Sequence, residues 1–390
     1  MSITTDPKIG LIDGPFQRQL EALSQSRSWY NWAGYAAPST LDCIEFEYFA
    51  LRNQASLFDI SPLFKYRVKG SEANKMLNRL VTRDVNKIKV GRVAYAIWCN
   101  QDGMLIDDGT LFHLGNCDWR LCCQEPMLDW LLEAAWGFNI EIIDESATVA
   151  GLSIQGPTSY SILSIAGFTL DNIKPFDFYQ DRNGVLISRT GFTGDLGYEI
   201  FFPHEKASDL WDLIWNSGSD LGLRAIGYDA VNIARIEAGF MTAGIDFMPV
   251  QSTEYLHRGQ TPFELNIGKL VDFRKGHFNG RRALLDLKDK PRSCLLRFDV
   301  GGFKPADSAL IYHKKKYEVG HISSGIWSPT VKKSIALAHI KTQYRNSPAL
   351  FAEIYTLKEG QWIKRMEKMV ENKSPFYAPP RAKQTPPFKR

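Results

Sequence analysis

The stretch RTGFTGDLGYEIFF, residues 189–202, joins two short runs of β-forming residues through a glycine-rich turn. The runs VLISRT and YEIFF on either side of the turn predict a β-hairpin over residues 185–202. Glu199 lies inside the second run, among apolar residues. A carboxylate buried in a strand has to be paired or hydrogen-bonded, or it takes up a proton. Two partners offer parallel N–H donors: Arg189 on the paired strand, or a flat ligand with an amidine-like edge, such as a pterin or guanine.

Length and charge exclude several classes of protein. The chain has 390 residues, enough for two or three domains with sizeable cores. Its net charge is only +4, with 47 Lys and Arg against 43 Asp and Glu. No basic stripe is interleaved with aromatic residues, so we expect no nucleic-acid partner.

The cysteines and the hydropathy of the chain indicate where the protein is located and which kinds of binding site it contains. The six cysteines are irregularly spaced and form no CxxC pair, so the sequence predicts neither a metal site nor a disulfide framework. The N-terminal segment MSITTDPKIG is polar and unlike a signal peptide. No apolar run approaches the length of a membrane span. We therefore expect a cytoplasmic protein with no membrane partner.

Local patterns divide the chain into segments. Ser71 and Asp229 stand at candidate helix N-cap positions, and Gly239 stands where a helix would end. From about residue 293, short strands alternate with turn residues, which indicates a small β-barrel or a sandwich. The segment SPFYAPPRAKQTPPFKR (374–390) contains five prolines and no acid, so we predict an extended tail.

Common cofactor motifs are missing from the sequence. GFTGDLG has the spacing GxxGxxG and connects two strands, so it does not fit the GxGxxG motif of dinucleotide-binding proteins. The sequence also lacks a phosphate-binding GxxxxGK[ST] loop, a nucleophile elbow and HExxH.

A second acidic site is the pair Asp107-Asp108 in MLIDDGTLF. Adjacent side chains on a strand point to opposite faces, so only one of the two enters a given pocket. A two-residue loop at NQDG places Trp98 opposite Asp107. A three-residue loop with left-handed Gly103 instead places Tyr95 on the face of Asp107. The alternative interpretation is that both acids are solvated near a hairpin and have no functional role.

Several stretches together resemble one family, the folate-dependent aminomethyltransferases that include the T-protein of the glycine cleavage system. The resemblance covers essentially the whole chain in the same order. The matching runs are FDIS (58–61), the segment from Tyr95 to MLIDD (104–108), IQGP (154–157), RTGFTGDLGYEI (189–200), ARIEAG (234–239), FNGRRAL (278–284), SSGIWSPTVKKSIALA (323–338) and SPFYAPP (374–380).

The resemblance implies an α+β fold, a three-domain ring around a tetrahydrofolate pocket with a C-terminal β-barrel domain. It implies a folate-binding region over residues 1–285, a barrel over 290–372 and a tail over 373–390. The folate-binding region comprises two interleaved subdomains. These subdomains span residues 1–55 with 145–285, and residues 56–144.

The resemblance also implies roles for individual residues. Glu199 would hold the N–H edge of the pterin, and Asp107 would be the catalytic carboxylate beside the folate nitrogens. Tyr95 would share the pocket of Asp107, which supports the three-residue loop. The remaining cofactor-binding predictions are Gln124, Arg189, Tyr198 and Trp98.

Two positions depart from the family pattern. Gln124 replaces the usual asparagine, and Tyr228 replaces the usual arginine before the helix that contains ARIEAG. An aromatic segment near residue 30 is also unusually dense. We therefore predict that Trp32, Tyr35 and Tyr228 line a substrate pocket.

The resemblance implies a tetrahydrofolate-dependent transferase, and our first expectation is a one-carbon transfer from a small methylated amine, sulfonium or similar donor to folate N5. The alternative is a T-protein that acts on an aminomethyl group carried by a lipoyl protein. Retention of Asp107 favours that alternative. A separate dehydrogenase subunit is a further candidate partner.

A third candidate function, a folate-binding iron–sulfur assembly factor, is disfavoured. That class carries a cysteine in its KGCYxGQE motif, and this chain has His277 at the corresponding position in KGHFNGRRA.

Overall fold

The computed structural model describes residues 8–254 and 258–386 of the chain. Within them it contains a mixed six-stranded sheet, an antiparallel five-stranded sheet, a two-stranded hairpin and a closed barrel. The α-helices are α1 Gln17–Leu23, α2 Ile44–Asn53, α3 Ala73–Leu80, α4 Leu128–Ala134, α5 Ser159–Ile165, α6 Ala207–Gly218, α7 Tyr228–Ala238 and α8 Arg281–Leu287.

The first sheet has six strands in the order β10-β11-β12-β9-β3-β13. Its strands are β3 Ala55–Asp59, β9 Val149–Gln155, β10 Phe178–Gln180, β11 Leu186–Ser188, β12 Gly197–Pro203 and β13 Leu223–Ala225. One face packs its apolar residues against α1, α5 and α6 through Leu20, Ile162 and Trp211. The predicted hairpin over 185–202 is the antiparallel pair of β11 and β12.

The second sheet has five strands in the order β5-β6-β7-β4-β8. Its strands are β4 Phe64–Lys69, β5 Val93–Cys99, β6 Leu105–Gly115, β7 Asp118–Cys123 and β8 Glu141–Asp144. One face packs against α3 and α4 through Met76, Leu77 and Leu131. Each sheet therefore has one face covered by its own helices.

The remaining faces of the two sheets lie against each other. Phe112 on β6 contacts Phe201 on β12, with ring centroids 5.5 Å apart. Both residues belong to one buried cluster that also includes Phe58 of β3 and Cys122 of β7. The candidate functional site described below lies between these inner faces.

The C-terminal domain is a closed six-stranded barrel in the order β14-β17-β16-β15-β18-β19. The strands are β14 Ser293–Val300, β15 Leu310–His313, β16 Tyr317–Ser328, β17 Lys333–Lys341, β18 Leu350–Lys358 and β19 Gln361–Glu371. Ile326 of β16 packs against the cluster between the two sheets, so the barrel covers a third side of that region. The α+β fold with a C-terminal barrel is confirmed, and the sandwich alternative is wrong. The subdomain boundaries proposed above remain a prediction.

Two local features differ from expectation. The aromatic segment near residue 30, for which no regular structure was predicted, is a hairpin of β1 Ser28–Trp32 and β2 Tyr35–Thr40. The capping position of α3 is Glu72 instead of Ser71, and that of α7 is Gly227 instead of Asp229. The helix stop at Gly239 is confirmed, with a left-handed φ of 75°.

The predicted tail lies along the hairpin of β11 and β12. The Tyr377 N–H donates to the carbonyl of Glu237. The Arg381 guanidinium donates both to Asp195 Oδ1, at 2.6 Å, and to Asp195 Oδ2, at 2.8 Å. The tail therefore braces the glycine-rich turn from outside. In the described residues, no helix is both long and apolar enough to cross a membrane.

Candidate active site

Glu199 occupies the middle of β12, opposite Ser188 on β11 and Ser153 on β9. Since side chains alternate along a strand, Glu199 shares the inner face of the first sheet with Phe201. Its Oε2 accepts a hydrogen bond of 2.5 Å from the Thr190 hydroxyl. Burial raises the pKa of Glu199, although the side chain keeps some solvent exposure. These properties place the carboxylate in the wall of a recess.

Arg189 is not the partner of Glu199. Its guanidinium donates to the main-chain carbonyls of Ile173 at 3.1 Å and Gln384 at 2.7 Å. No ion pair joins Arg189 to Glu199 in the described part of the chain. The predicted salt bridge is therefore wrong, and so is the placement of Arg189 in the cofactor pocket, because its side chain fastens the tail.

Tyr198 also lies outside the recess. It precedes Glu199 on β12, so its side chain points to the opposite face, where it is fully buried in the core beneath α5 and α6. The Arg189 guanidinium lies 5.7 Å from the centre of its ring. Strand alternation alone would have excluded Tyr198 from the cofactor-binding residues.

The glycine-rich turn owes its shape to Gln155. A Cβ atom added at Gly191 or Gly197 would lie 2.2 Å from Gln155 Oε1. Gln155 cannot withdraw freely, because Thr193 donates to the same oxygen at 2.8 Å and its own amide donates to Thr190 O at 3.3 Å. The turn therefore requires glycine at both positions and holds Thr190 beside Glu199.

The Asn100 N–H donates to the Met104 carbonyl at 2.9 Å, so three residues form the turn between β5 and β6, as the resemblance favoured, and Gly103 has a φ of 76°. The pairing changes within β6, however. Cys99 pairs with Leu105 and Trp98 pairs with Asp107, so Ile106 is the extra residue of a β-bulge. The prediction that Tyr95 shares the face of Asp107 is therefore wrong.

Asp108 takes the place that was predicted for Asp107. The Tyr95 hydroxyl donates to Asp108 Oδ2 at 2.6 Å. Both residues share the inner face of the second sheet with Thr110 and Phe112. Burial raises the pKa of Asp108 to about 6, and the Tyr95 hydrogen bond opposes that increase. Asp108 remains partly exposed, as Glu199 does.

Asp107 points into the core beneath α3 and α4. It is fully buried together with Trp98, which lies opposite on β5. Asp107 Oδ2 accepts from the Glu125 N–H at 3.2 Å, and Oδ1 has no partner. Burial, and then the neighbouring Asp108 charge, raise its pKa well above the usual range. The geometry therefore contradicts the placement of both Asp107 and Trp98 in the pocket.

A charged residue on the inner face of one sheet affects a titratable residue on the inner face of the other. Cys122 pairs with Thr110, so it lies on the same face of the second sheet as Asp108. Burial and, to a smaller extent, the charge of Glu199 raise the pKa of the Cys122 thiol to about 12. Phe201, on the same face as Glu199, contacts Phe112, which shares its face with Asp108, so the two acids lie on facing surfaces of the two sheets.

The remaining predicted residues surround this region. Gln124, just beyond the end of β7, donates from Nε2 to the carbonyl of Ala243 at 3.3 Å. Trp32 stacks on Phe58 with centroids 5.8 Å apart, and Tyr35 pairs with Trp32 at the tip of the hairpin.

Tyr228 packs against Tyr30, with ring centroids 5.4 Å apart. Tyr228 and Trp32 both contact the cluster between the sheets. Thr190 was not among the predicted site residues. Because it follows Arg189 and strand side chains alternate, its hydroxyl is expected on the face opposite to Arg189, where Glu199 lies. The sequence analysis also assigned no role to Tyr30 or Phe58.

Comparisons with known proteins agree on one family. Residues 20–275 match the GCVT N-terminal domain, and residues 293–360 match the glycine cleavage T-protein C-terminal barrel domain. An aminomethyltransferase of Caldanaerobacter subterraneus subsp. tengcongensis is 34% identical over 329 residues, which span 80% of this chain and 84% of that protein. An aminomethyltransferase of Halothermothrix orenii is 33% identical over 79% of this chain and 86% of its own length.

A solved structure shares the fold. The crystal structure of glycine cleavage system aminomethyltransferase T from Bartonella henselae superposes with a TM-score of 0.83 at 23% identity. The match covers 94% of this chain and 98% of that one.

Proposed function

Since the chain belongs to the glycine cleavage T-protein family of aminomethyltransferases, we propose that it transfers an aminomethyl-derived carbon to tetrahydrofolate. The single observation that carries this proposal is the placement of Glu199 and of the Tyr95–Asp108 pair on the inner faces of two opposed sheets. One acid is placed to bind a heterocycle, and the other to handle a proton.

The residues present fit a reduced folate. An ionised carboxylate accepts several hydrogen bonds, and Thr190 supplies Glu199 with one. Glu199 has no cationic partner among the residues that the structure describes. The two parallel N–H donors on the edge of a pterin would compensate the buried charge in the same manner as a bidentate guanidinium. We therefore assign pterin binding to Glu199.

Asp108 is the proposed catalytic carboxylate. With a pKa of about 6, it is mostly ionised at neutral pH and still basic enough to exchange a proton. Tetrahydrofolate, when bound, supplies the nitrogen that accepts the carbon unit. The negative charge of Asp108 stabilises positive charge that develops on the transferred group, and its Oδ atoms receive the proton released from nitrogen. Tyr95 holds the carboxylate in one orientation through its hydroxyl group.

The comparisons favour an aminomethyl donor over the free methylated donor that the sequence analysis placed first, because the similar curated proteins are named aminomethyltransferases. We accordingly propose a lipoyl carrier protein as the partner and the cytoplasm as the location. A small onium donor is the second candidate. The aromatic residues Tyr30, Trp32, Phe58 and Tyr228 favour it, since aromatic rings attract cations.

Two measurements test the proposal. Calorimetry with tetrahydrofolate should show binding to the unaltered protein, with an affinity lowered roughly ten- to hundredfold in Glu199→Gln because a charged hydrogen-bond acceptor is lost. Glu205→Gln, an exposed change just beyond the same strand, is the matched control and should bind as tightly as the unaltered protein. Equal affinities for all three proteins would refute the role of Glu199.

Product analysis then identifies the donor. The protein is incubated with tetrahydrofolate and either an aminomethyl-loaded lipoyl carrier or free methylated amines and sulfonium compounds. Mass spectrometry that finds 5,10-methylene-tetrahydrofolate with the carrier supports the aminomethyltransferase. Finding 5-methyl-tetrahydrofolate with a free donor supports the second candidate.

A further inference from the structure

We propose that Arg83 is a carboxylate-binding residue of the same site, which recognises either the glutamate tail of the folate or an acidic group of the donor. The inference rests on the proposed function and assigns a specificity role to a residue outside the two acidic positions.

Arg83 lies at the outer edge of the second sheet. It follows α3, and the preceding Thr82 donates its N–H to the carbonyl of Ile97 on β5, the edge strand. The Arg83 Nη1 donates to the main-chain carbonyl of Tyr95. The guanidinium therefore lies against the backbone of the residue whose hydroxyl contacts Asp108.

The charge of Arg83 is not compensated. Burial lowers the pKa of Arg83, and no carboxylate opposes that change. Its Nε is shielded from solvent and has no hydrogen-bond acceptor in the described parts of the chain. A half-buried guanidinium in this state costs folding free energy, because its donors have left water without an equivalent partner.

Other buried arginines of the chain are satisfied. Arg52 forms ion pairs with Glu237 at 2.6 Å and with Asp195 at 3.3 Å. Arg189 lacks an acidic partner, but four main-chain carbonyls accept hydrogen bonds from it. Arg83 donates to a single main-chain carbonyl, and its Nε has no acceptor among the described residues. This difference indicates that the guanidinium of Arg83 is available to bind a ligand.

The free donors of Arg83 suit a carboxylate. With Nη1 held by Tyr95, the side formed by Nε and Nη2 is the one that binds a carboxylate through two parallel hydrogen bonds. Because Nε is shielded from solvent, the side chain has to rotate before both atoms reach a ligand. Folates carry their carboxylates at the end of an aminobenzoyl spacer, away from the reacting nitrogens. Arg83 is likewise at the backbone end of Tyr95, whereas Asp108 is at the hydroxyl end.

Calorimetry on three proteins with two probes tests the inference. The proteins are the unaltered chain, Arg83→Met and the control Arg79→Met, which removes an exposed arginine one turn earlier on α3. The probes are tetrahydrofolate and 6-methyltetrahydropterin, which has the ring but no carboxylate. Binding of the folate tail predicts that Arg83→Met weakens tetrahydrofolate roughly ten- to hundredfold and leaves the pterin unchanged. Arg79→Met should change neither.

A turnover assay tests whether the bound carboxylate belongs to the donor instead of the folate tail. If Arg83→Met binds both probes normally, a loss of kcat/KM with N-methyl amino acids but not with methylamines assigns Arg83 to an acidic donor. Unchanged binding, together with unchanged kcat/KM for both donor types or with no turnover of either free donor by the unaltered protein, overturns the inference while the proposed function stands. Failure of the unaltered protein to bind either probe refutes the proposed function, and the inference falls with it.

Thermal unfolding without ligand checks the folding of the variant. Arg83→Met removes an uncompensated charge, so its Tm should equal or exceed that of the unaltered protein. If the variant is less stable, Arg83→Lys replaces it in the binding experiment. That change keeps the charge but loses the paired donors, so it should still weaken tetrahydrofolate relative to the pterin. Equal affinities in Arg83→Lys and the unaltered protein would overturn the inference.

Discussion

Asp107 and Asp108 are neighbours on β6, yet the two sides of this strand give them opposite environments. Asp107 faces the helices, lies in a dry core and has an orphan oxygen. Asp108 faces the first sheet, keeps contact with solvent and accepts a hydrogen bond from Tyr95. Burial raises the pKa of both, but only Asp108 is accessible to a substrate. The side of the strand, and not the residue type, therefore determines which carboxylate is available for chemistry.

The sharpest test of this comparison is Asp108→Asn. The amide has nearly the same shape as the carboxylate but carries no negative charge, so it cannot take a proton from the reacting nitrogen. We expect turnover with the donor that is active in the product analysis to fall about 10²- to 10⁴-fold. Calorimetry should show tetrahydrofolate affinity within a fewfold of the unaltered protein. Unimpaired turnover in this variant would remove Asp108 from the mechanism.

The second test uses the pH dependence of the unaltered protein. The ordinary pKa of an aspartate is 3.8, and burial raises that of Asp108 to about 6. The catalytic form is ionised, so kcat/KM should be constant above pH 6 and fall about tenfold per pH unit below it. The steady-state rate measured between pH 5 and 8 gives this profile. An acid limb that lies near pH 4 would mean that Asp108 is more hydrated than its surroundings indicate.

A third and smaller effect is expected from Tyr95→Phe. The hydroxyl lowers the pKa of Asp108, so its removal should move the acid limb of kcat/KM to higher pH. The lost orientation should also reduce turnover at pH 8 by roughly tenfold, from the ~1.5 kcal/mol of a hydrogen bond to a charged group. A purely structural role for Tyr95 would leave the position of the limb unchanged.

The smallest effect is expected from Asp107→Asn. Burial favours the neutral form of Asp107, and an amide of similar shape keeps an oxygen that accepts from the Glu125 N–H. Turnover should stay within about threefold, since the side chain touches no substrate, and the unfolding free energy should change by about 1 kcal/mol or less. A loss as large as that of Asp108→Asn would invert the comparison between the two sides of β6.

Local pattern was sufficient for the hairpin that bears Glu199 and limited the C-terminal region to a barrel or a sandwich, because alternation and turn chemistry repeat over many residues there. The fold class and the choice of the barrel came from the family resemblance. Glu199 was singled out from the sequence because an acid in an apolar strand conflicts with burial, and the structure has it on the same face of β12 as Phe201. Tyr198 and Arg189 were assigned by proximity in sequence, which ignores the alternation of strand side chains.

The register of Asp107 and Asp108 could not be obtained from the sequence. The three-residue loop alone would place Asp107 beside Tyr95, and a single extra residue, Ile106, reverses the outcome. Ile106 is fully buried in the core beneath α3 and α4, on the same side as Asp107. Its burial and the tertiary contacts there favour the bulge, and neither is visible in the local pattern of the strand.

The hydrogen bonds from Arg189 to the tail affect the order in which the polypeptide folds during translation. The carbonyl of Arg381 that accepts from Arg189 is 192 positions further along the chain. A nascent polypeptide can pair β11 with β12 early, but the outer clamp on this hairpin forms only after the barrel has been synthesised. The hairpin that bears Glu199 therefore receives its outer support late, and fragments that end within the barrel lack the clamp.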